Sequence, residues 1–226
     1  MKEEEIKSYL DRLNYDNFEE TIFLRPLNKY VDLARLWNNE PKLEDPFEHA
    51  VPSYKFFFIK NENEKFVGAV LDMERNLHWY ILEEERKKGY LTKSLKETIL
   101  PYLFYIREKQ RITIESSSGE LNYMNSRKVA ESVGFVPTNE TETEFELDKK
   151  AFDWSNENLN EQNGTISKSR LEELRKRIVL SSKELLRVSD ELLMTYDDDK
   201  QLRELAKRVA SFYYAMGHIK QKGNQS

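Results

Sequence analysis

Apolar positions along the chain switch between two rhythms, a period of two and a period near 3.6. From residue 2 to 13, Ile6 and Leu10 fall four apart on one side of a charged segment, which predicts a short helix. Thr21-Ile22-Phe23-Leu24-Arg25-Pro26 predicts a strand that proline stops. From Asn28 to Asn38, Val31, Leu33, Leu36 and Trp37 form an apolar face that predicts a helix, and Pro41, Pro46 and Pro52 then mark loops. Residues 54–60 (Y-K-F-F-F-I-K) and 65–74 predict the two strands of a hairpin around the polar turn Asn61-Glu62-Asn63-Glu64, and residues 77–82 a third strand. The period turns helical from Gly89 to about Lys109, with Leu91, Leu95, Ile99, Leu103 and Ile106 three or four apart; Pro101 should kink or split this helix. Residues 111–115 predict a further strand, residues 126–133 a short helix stopped by Gly134, and residues 135–137 and 142–147 the last strands. The predicted order β-α-β-β-β-α-β-α-β-β is that of a mixed α/β sheet domain ending near residue 150.

Residues 155–169 are rich in Asn, Glu and Ser with little to bury, as in a linker. Ser169-Arg170-Leu171-Glu172 fits a capping box, and a helix should run from there to about Tyr196. Its seam is Leu171, Leu174, Ile178, Leu185, Val188 and Leu192, interrupted by Ser181. Asp197-Asp198-Asp199 makes the turn, and a second helix carries Leu202, Leu205, Val209, Phe212, Met216 and Ile219. The expectation is a domain over residues 1–150 (core about 20–150), a polar linker over 151–168 and an α-helical hairpin over 169–222. Two helices bury little alone, so the hairpin should dock on its own domain or serve a homodimer or another protein partner; Phe212-Tyr213-Tyr214 would supply the anchors.

Composition narrows the function classes. Hydrophobic residues at 38% allow a packed core, while a net charge of −5 argues against a general nucleic-acid binder, which needs a basic face. The chain has no cysteine, which removes disulfides, zinc-thiolate sites and cysteine nucleophiles. His49, His78 and His218 are scattered, so no metal site is expected. The first residues hold no apolar signal region, and no apolar run is long enough to span a bilayer; a cytoplasmic protein with no membrane partner is expected.

One stretch carries candidate chemistry. Arg86-Lys87-Lys88-Gly89-Tyr90-Leu91 stands between a strand and an amphipathic helix. Unpaired N–H groups at a helix start bind phosphate oxygens, Gly89 lets the main chain come close, and the three cations add charge. The same six residues also suit a solvated basic turn.

The wider pattern resembles the GNAT superfamily of acyl-CoA-dependent N-acyltransferases. Arg86-x-x-Gly89-x-Leu91 is similar to the family's pyrophosphate signature, Arg/Gln-x-x-Gly-x-Gly/Ala. K-G-Y-L-T-K-S-L and I-L-P-Y-L-F (residues 99–104) resemble the branch that acetylates ribosomal-protein N-termini. N-Y-M-N-S-R-K-V-A-E-S-V-G-F (residues 122–135) resembles the family's N-x-x-S-x-x-V-x-E-K-x-G-F. The likeness covers about residues 20–150. It implies a mostly antiparallel, twisted central sheet flanked by helices, and transfer of an acetyl group from acetyl-CoA, as cosubstrate, to a primary amine of a protein N-terminus, a lysine or a small molecule. It implies that Ile81 and Leu82 hold the pantetheine and polarise the thioester, and that Arg86, Lys87, Lys88, Gly89, Tyr90, Leu91 and Thr92 hold the pyrophosphate. Asn122, Asn125 and Ser126 are further cofactor contacts or helix caps. Glu115 and His78 are the candidate bases and Tyr123 the candidate acid, with the alternative that Glu115 is an exposed strand residue and His78 a packed core histidine. Phe56-Phe57-Phe58 and Trp79 are expected in the core and pocket wall. Leu91 stands where the family carries a small residue, Lys93 where that branch has Glu, and Ala130 where many members carry a tyrosine acid. The departures at Leu91 and Ala130 support an alternative: a catalytically impaired acyl-CoA-binding or interaction module that acts through its helical hairpin.

Overall fold

A computed structural model of the chain describes residues 3–15, 21–37, 40–42, 44–45, 53–114, 119–160, 166–196 and 200–218. The chain divides into two compact units, Met1–Asn163 and Gly164–Ser226.

In the first unit, α1 (Glu3–Asn14) precedes five strands: β1 (Ile22–Pro26), β2 (Val31–Trp37), β3 (Ser53–Lys60), β4 (Phe66–Asp72) and β5 (Leu77–Ile81). They form one antiparallel sheet in sequence order. Both faces are covered, which explains the apolar run in β3. Phe56 and Phe58 pack against Ile6, Leu10 and Leu13 of α1, while Phe57 and Ile59 share the opposite core with Leu95, Ile99 and Leu103. Alternate side chains of a strand point to opposite faces, so an unbroken aromatic run needs a layer on each side.

The helix expected over residues 28–38 is a strand, β2. Val31 faces one core while Ala34 and Leu36 face the other, so the period-two alternation of polar and apolar residues is lost. Asn28 caps a turn instead of a helix. Its Oδ1 accepts from the N–H groups of Tyr30 (2.8 Å) and Val31 (2.9 Å), and Leu27 N–H closes the β1–β2 hairpin on Val31 O (2.9 Å). Its Nδ2 donates to Thr98 Oγ1 (2.6 Å) and to Asn158 O (2.8 Å).

After β5 a helical segment runs from Tyr90 to Phe104: α2 (Tyr90–Ser94), a π-helical turn (Leu95–Ile99) and α3 (Leu100–Phe104). Pro101 has no N–H, so the carbonyl four residues earlier, Glu97 O, lacks its helical donor. Asn158 N–H supplies the bond at 2.7 Å, and the wider π turn takes up the proline ring without a break. Residues 151–160 therefore belong to the first unit although their composition reads as a linker. Asn160 N–H bonds Leu27 O at 3.0 Å, and the Phe152 and Trp154 rings pack on Phe104.

Next come β6 (Lys109–Thr113), α4 (Glu120–Ser132), β7 (Val136–Pro137) and β8 (Glu144–Asp148), with the strands in the antiparallel order β6-β8-β7. Helix α4 starts at Glu120, six residues before the expected Ser126, with Gly119 as its N-cap, and Glu120 places a carboxylate in its first turn. It stops at Gly134 as expected: φ is +100°, Phe135 N–H bonds Ala130 O (3.0 Å) and Gly134 N–H bonds Glu131 O (3.1 Å), the two bonds of a Schellman cap. The start of β6 is tied to the end of β4 by Arg107, which donates to both oxygens of Asp72 (2.9 and 2.7 Å), with Lys55 Nζ 3.1 Å from the same carboxylate. Burial alone would raise the Asp72 pKa; Arg107 and Lys55 overcome it and hold the carboxyl below its ordinary value.

The second unit is a pair of helices, α5 (Lys168–Tyr196) and α6 (Lys200–Ala215), followed by a 3₁₀ turn, Met216–His218. Ser167, not Ser169, sits at the helix start, its Oγ accepting from Arg170 N–H (3.2 Å). The seam also differs from the heptad expectation. Leu171, Ser182 and Ser189 of α5 and Ala206 of α6 are buried, and Ser182 Oγ donates to Ala206 O at 2.8 Å. Val188, Leu192, Leu205 and Phe212, expected inside, are exposed. Small residues take the contact because they let two backbones approach closely.

Asn28→Ala should destabilise the first unit by about 3 kcal/mol in urea unfolding, because it strands the buried Thr98 hydroxyl and three main-chain groups at once. A loss under about 0.5 kcal/mol would contradict this reading of the turn.

Candidate functional site

β5 ends at Ile81, and a 3₁₀ turn (Glu83–Glu85) leads to Arg86-Lys87-Lys88-Gly89 and into α2. Gly89 is the N-cap residue at φ +84°, and a Cβ placed on it would meet nothing within 4 Å. The backbone conformation requires the glycine; crowding does not. Lys87 is also left-handed, at φ +63°, uncommon for a residue with a side chain. Lys93 N–H makes the first intrahelical bond, to Gly89 O at 3.0 Å, so the amides of Tyr90, Leu91 and Thr92 precede the helical ladder. They carry the partial positive charge of the helix start.

The cations of the turn are partly engaged. Arg86 folds back, its Nε donating to Ile81 O (3.1 Å) and its guanidinium 5.9 Å from the centre of the Tyr80 ring. Lys88 pairs with Glu85 at 2.8 Å. The Tyr90 hydroxyl donates to Glu62 (2.8 Å), a bond that raises the phenol pKa and keeps its proton in place. Leu91 points inward and is buried in the main core, so its bulk does not crowd the turn.

β5 presents an open edge. Leu82 N–H donates to Val67 O (3.0 Å), and in an antiparallel ladder bonding residues alternate with outward-facing ones. The main-chain groups of Tyr80 and Leu82 therefore face β4, while those of Trp79 and Ile81 face away from it. Of the two positions assigned to pantetheine from the sequence, Ile81 has an amide on that edge and Leu82 has spent its own on Val67. The strand beyond the edge is β6, which runs parallel to β5. Among the described residues, a single bridge joins them, Asn76 to Arg111, supported by Thr113 N–H on Asn76 Oδ1 (2.9 Å). From Leu77 to Ile81 the two strands belong to separate sheets. Gly68 lies opposite Ile81 on β4, and a Cβ there would stand 2.2 Å from Ile81 Cδ1 and 2.8 Å from Tyr80 O. The missing side chain lets Ile81 lie flat across β4.

The remaining candidates fall in different places. His78 is half-buried on β5, an odd number of residues from Trp79 and Ile81, and so shares the face of Tyr80 towards α1. Tyr123 is on α4, and its hydroxyl donates to Glu142 O at 2.9 Å. Asn122 and Asn125 are exposed and Ser126 half-buried, all within α4, so none caps it. Ala130 is fully buried in the core. Glu115, His49 and the side chain of His218 lie outside the described residues.

Beside the turn, between the helical segment and α4, is a cavity of about 560 Å³ whose wall includes Gly89, Thr92, Lys96 and Lys128. Its lysines were not singled out from the sequence, since they come from two helices more than thirty residues apart and no local motif joins them. Among the described residues, no three His, Cys, Asp or Glu side chains gather in a way that could hold a metal ion, and no helix is long and apolar enough to cross a membrane.

The two glycines should respond differently to alanine. Gly89→Ala should cost about 1 kcal/mol, from the left-handed backbone alone. Gly68→Ala should cost about 3 kcal/mol by overpacking against β5. Urea unfolding of both variants checks the order; a larger loss at Gly89 would contradict it. No family model, curated protein or solved structure matches the chain.

Proposed function

We propose that the chain is an acyl-CoA-dependent N-acyltransferase with a GNAT-type domain, moving an acetyl group from acetyl-CoA to a primary amine. The observation that carries this reading is the open edge of β5 leading straight into the Gly89 turn. A pantetheine arm can pair with that edge as an added strand, using the Ile81 amide and the Trp79 carbonyl, since the Ile81 carbonyl already accepts from Arg86 Nε. The pyrophosphate then meets the free amides of Tyr90, Leu91 and Thr92, with Lys87 nearby. Among the described residues the parallel β6 meets β5 at one bridge, and from Leu77 to Ile81 the two strands belong to separate sheets, which supports such an arm pairing with the edge.

In this reading the acceptor amine, as the free base, attacks the thioester carbonyl carbon. The C–S bond breaks from the tetrahedral intermediate, CoA leaves as thiolate, and the nitrogen proton passes to a base. Ile81 N–H is placed to stabilise the developing oxyanion. Most of the acceleration comes from holding amine and thioester together. Glu115 and His78 remain the candidate bases. Tyr123 can protonate the thiolate only by giving up its bond to Glu142 O.

A second reading, a domain that binds acyl-CoA without turnover and acts through α5 and α6, draws on the burial of Ala130, the engaged Tyr123 hydroxyl and the exposed Val188, Leu192, Leu205 and Phe212. Association with a second copy of the chain belongs to it as well.

Acetyl-CoA at about 100 times its Kd should stabilise the protein by about 2.7 kcal/mol. That corresponds to a Tm increase of about 5–10 °C for a chain of this size. The increase should vanish in Gly89→Glu, which puts a carboxylate where the phosphates sit. An unchanged Tm at millimolar ligand would sink the reading. A shift with no turnover across an amine panel would select the binding module, and loss of turnover with retained binding in Glu115→Gln would select the enzyme.

A further inference from the structure

The second unit buries small side chains and exposes large ones. Ser182 Oγ donates to Ala206 O, and the Arg175 guanidinium lies 5.4 Å from the centre of the Tyr213 ring. The contact moves seven residues back along α5 as it moves seven forward along α6, so the helices run antiparallel. Ser182, Ser189 and Ala206 on this seam bury little apolar surface, while Val188, Leu205 and Phe212 are 47%, 46% and 59% exposed. Each of the three immediately precedes a seam residue: Val188 before Ser189, Leu205 before Ala206, Phe212 before Tyr213. One residue turns the chain by about 100° around the helix axis. The turn has the same sense on both helices, and because they are antiparallel it brings all three side chains to one face of the pair. Helices of 29 and 16 residues span about 44 and 24 Å, and at a width of about 10 Å each their joint face offers about 700 Å². A standard interface takes roughly 800 Å² from each partner.

The charges along the margin of this face say what covers it. Arg170, Arg177, Glu184 and Glu191 recur every seven residues along α5. They flank Leu174 and Val188 at three or four residues' distance, and so border the face on the side away from α6. The row is basic in its first half and acidic in its second, so it is complementary to itself when reversed. A second α5 laid antiparallel, centred near residue 180, brings Arg170 to Glu191 and Arg177 to Glu184 of the second copy, and the reverse. The same register sets Leu174 against Leu185, and Leu171 against Val188, of the second copy. A parallel alignment in register would set arginine level with arginine and glutamate with glutamate. Within one copy, Arg170 pairs with Glu173 at 2.8 Å and Glu184 with Arg187 at 3.9 Å. Such surface pairs between neighbouring turns are worth little and give way at small cost.

We propose that α5 and α6 dock on the same two helices of a second copy of the chain, α5 against α5, in an antiparallel four-helix bundle. The proposal takes up the association named in the second reading above and gives it a face, a direction and a register. It does not depend on whether the first unit turns over acetyl-CoA.

The test is sedimentation equilibrium of the full chain without cofactor, which should give twice the chain mass of 27.0 kDa at micromolar concentration. Val188→Glu/Phe212→Glu should give a monomer whose helix content by circular dichroism matches the parent. Arg177→Glu and Glu184→Arg should each raise the dimer Kd roughly tenfold, since each sets like charges level across the interface. Combined in one chain they should restore the parent's Kd, because residues seven apart cannot pair within a helix. A monomeric parent would overturn the proposal, leave this face to another partner, and leave the acyltransferase reading to its own Tm test. A dimer that persists in Val188→Glu/Phe212→Glu would overturn the choice of face. Single reversals without effect, or no recovery in the double reversal, would overturn the antiparallel register.

Discussion

A single buried side chain amide sets the geometry on which the first unit depends. Asn28 uses all four of its hydrogen-bonding positions and spends them on three separate parts of the chain: its own turn, the helical segment at Thr98 and the tail at Asn158. Asn158 in turn satisfies the carbonyl that Pro101 leaves open. The helical segment is thereby locked onto the sheet by polar bonds as well as by Leu95, Ile99 and Leu103. A buried polar group is stabilising only when every position is met, and here each is. The consequence reaches the site, because the same helical segment begins at Gly89. A shift of that segment would carry the free amides of its first turn away from the edge of β5.

The site combines two kinds of unsatisfied main chain. One is the helix start after Gly89, preceded by two left-handed residues; the other is the β5 edge, which among the described residues β6 joins at one bridge. Main-chain groups of this kind are fixed by the fold, so they need no reorganisation to meet a ligand. The side chains near the turn play a lesser part than their charge suggests, since Arg86 and Lys88 already have partners. Further positive charge lines the cavity beside the turn, from Lys96 on the helical segment and Lys128 on α4.

Much of the fold was legible because its signals were local. The aromatic hairpin of β3 and β4, the strand β5, the short α1 and the stop at Gly134 all follow from runs of a few residues. The failures share a cause: contacts from distant chain hid or mimicked the local pattern. Residues 31–37 read as a helix because layers on both faces of the sheet removed the alternation. Residues 155–160 read as a linker because their bonds are main-chain bonds to Glu97 and Leu27, which side-chain composition does not reveal. The helix pair was legible as a pair, but its seam was not, since Ser182, Ser189 and Ala206 take the close contact and leave larger apolar residues outside. At the site, the turn could be found from Gly89 and its neighbours. Choosing Ile81 over Leu82 required the register of β4 on β5, and the lysine cavity required two helices to be placed side by side.

Amide hydrogen exchange at β5, with and without acetyl-CoA, tests the central claim most directly, because it reads the open edge itself. Ligand that pairs with this edge should slow exchange at Trp79 and Ile81 and at Tyr90, Leu91 and Thr92, while Tyr80 and Leu82, already bonded to β4, should change little. Slowing confined to other parts of the chain, or no change at Ile81 under saturating ligand, would contradict the account.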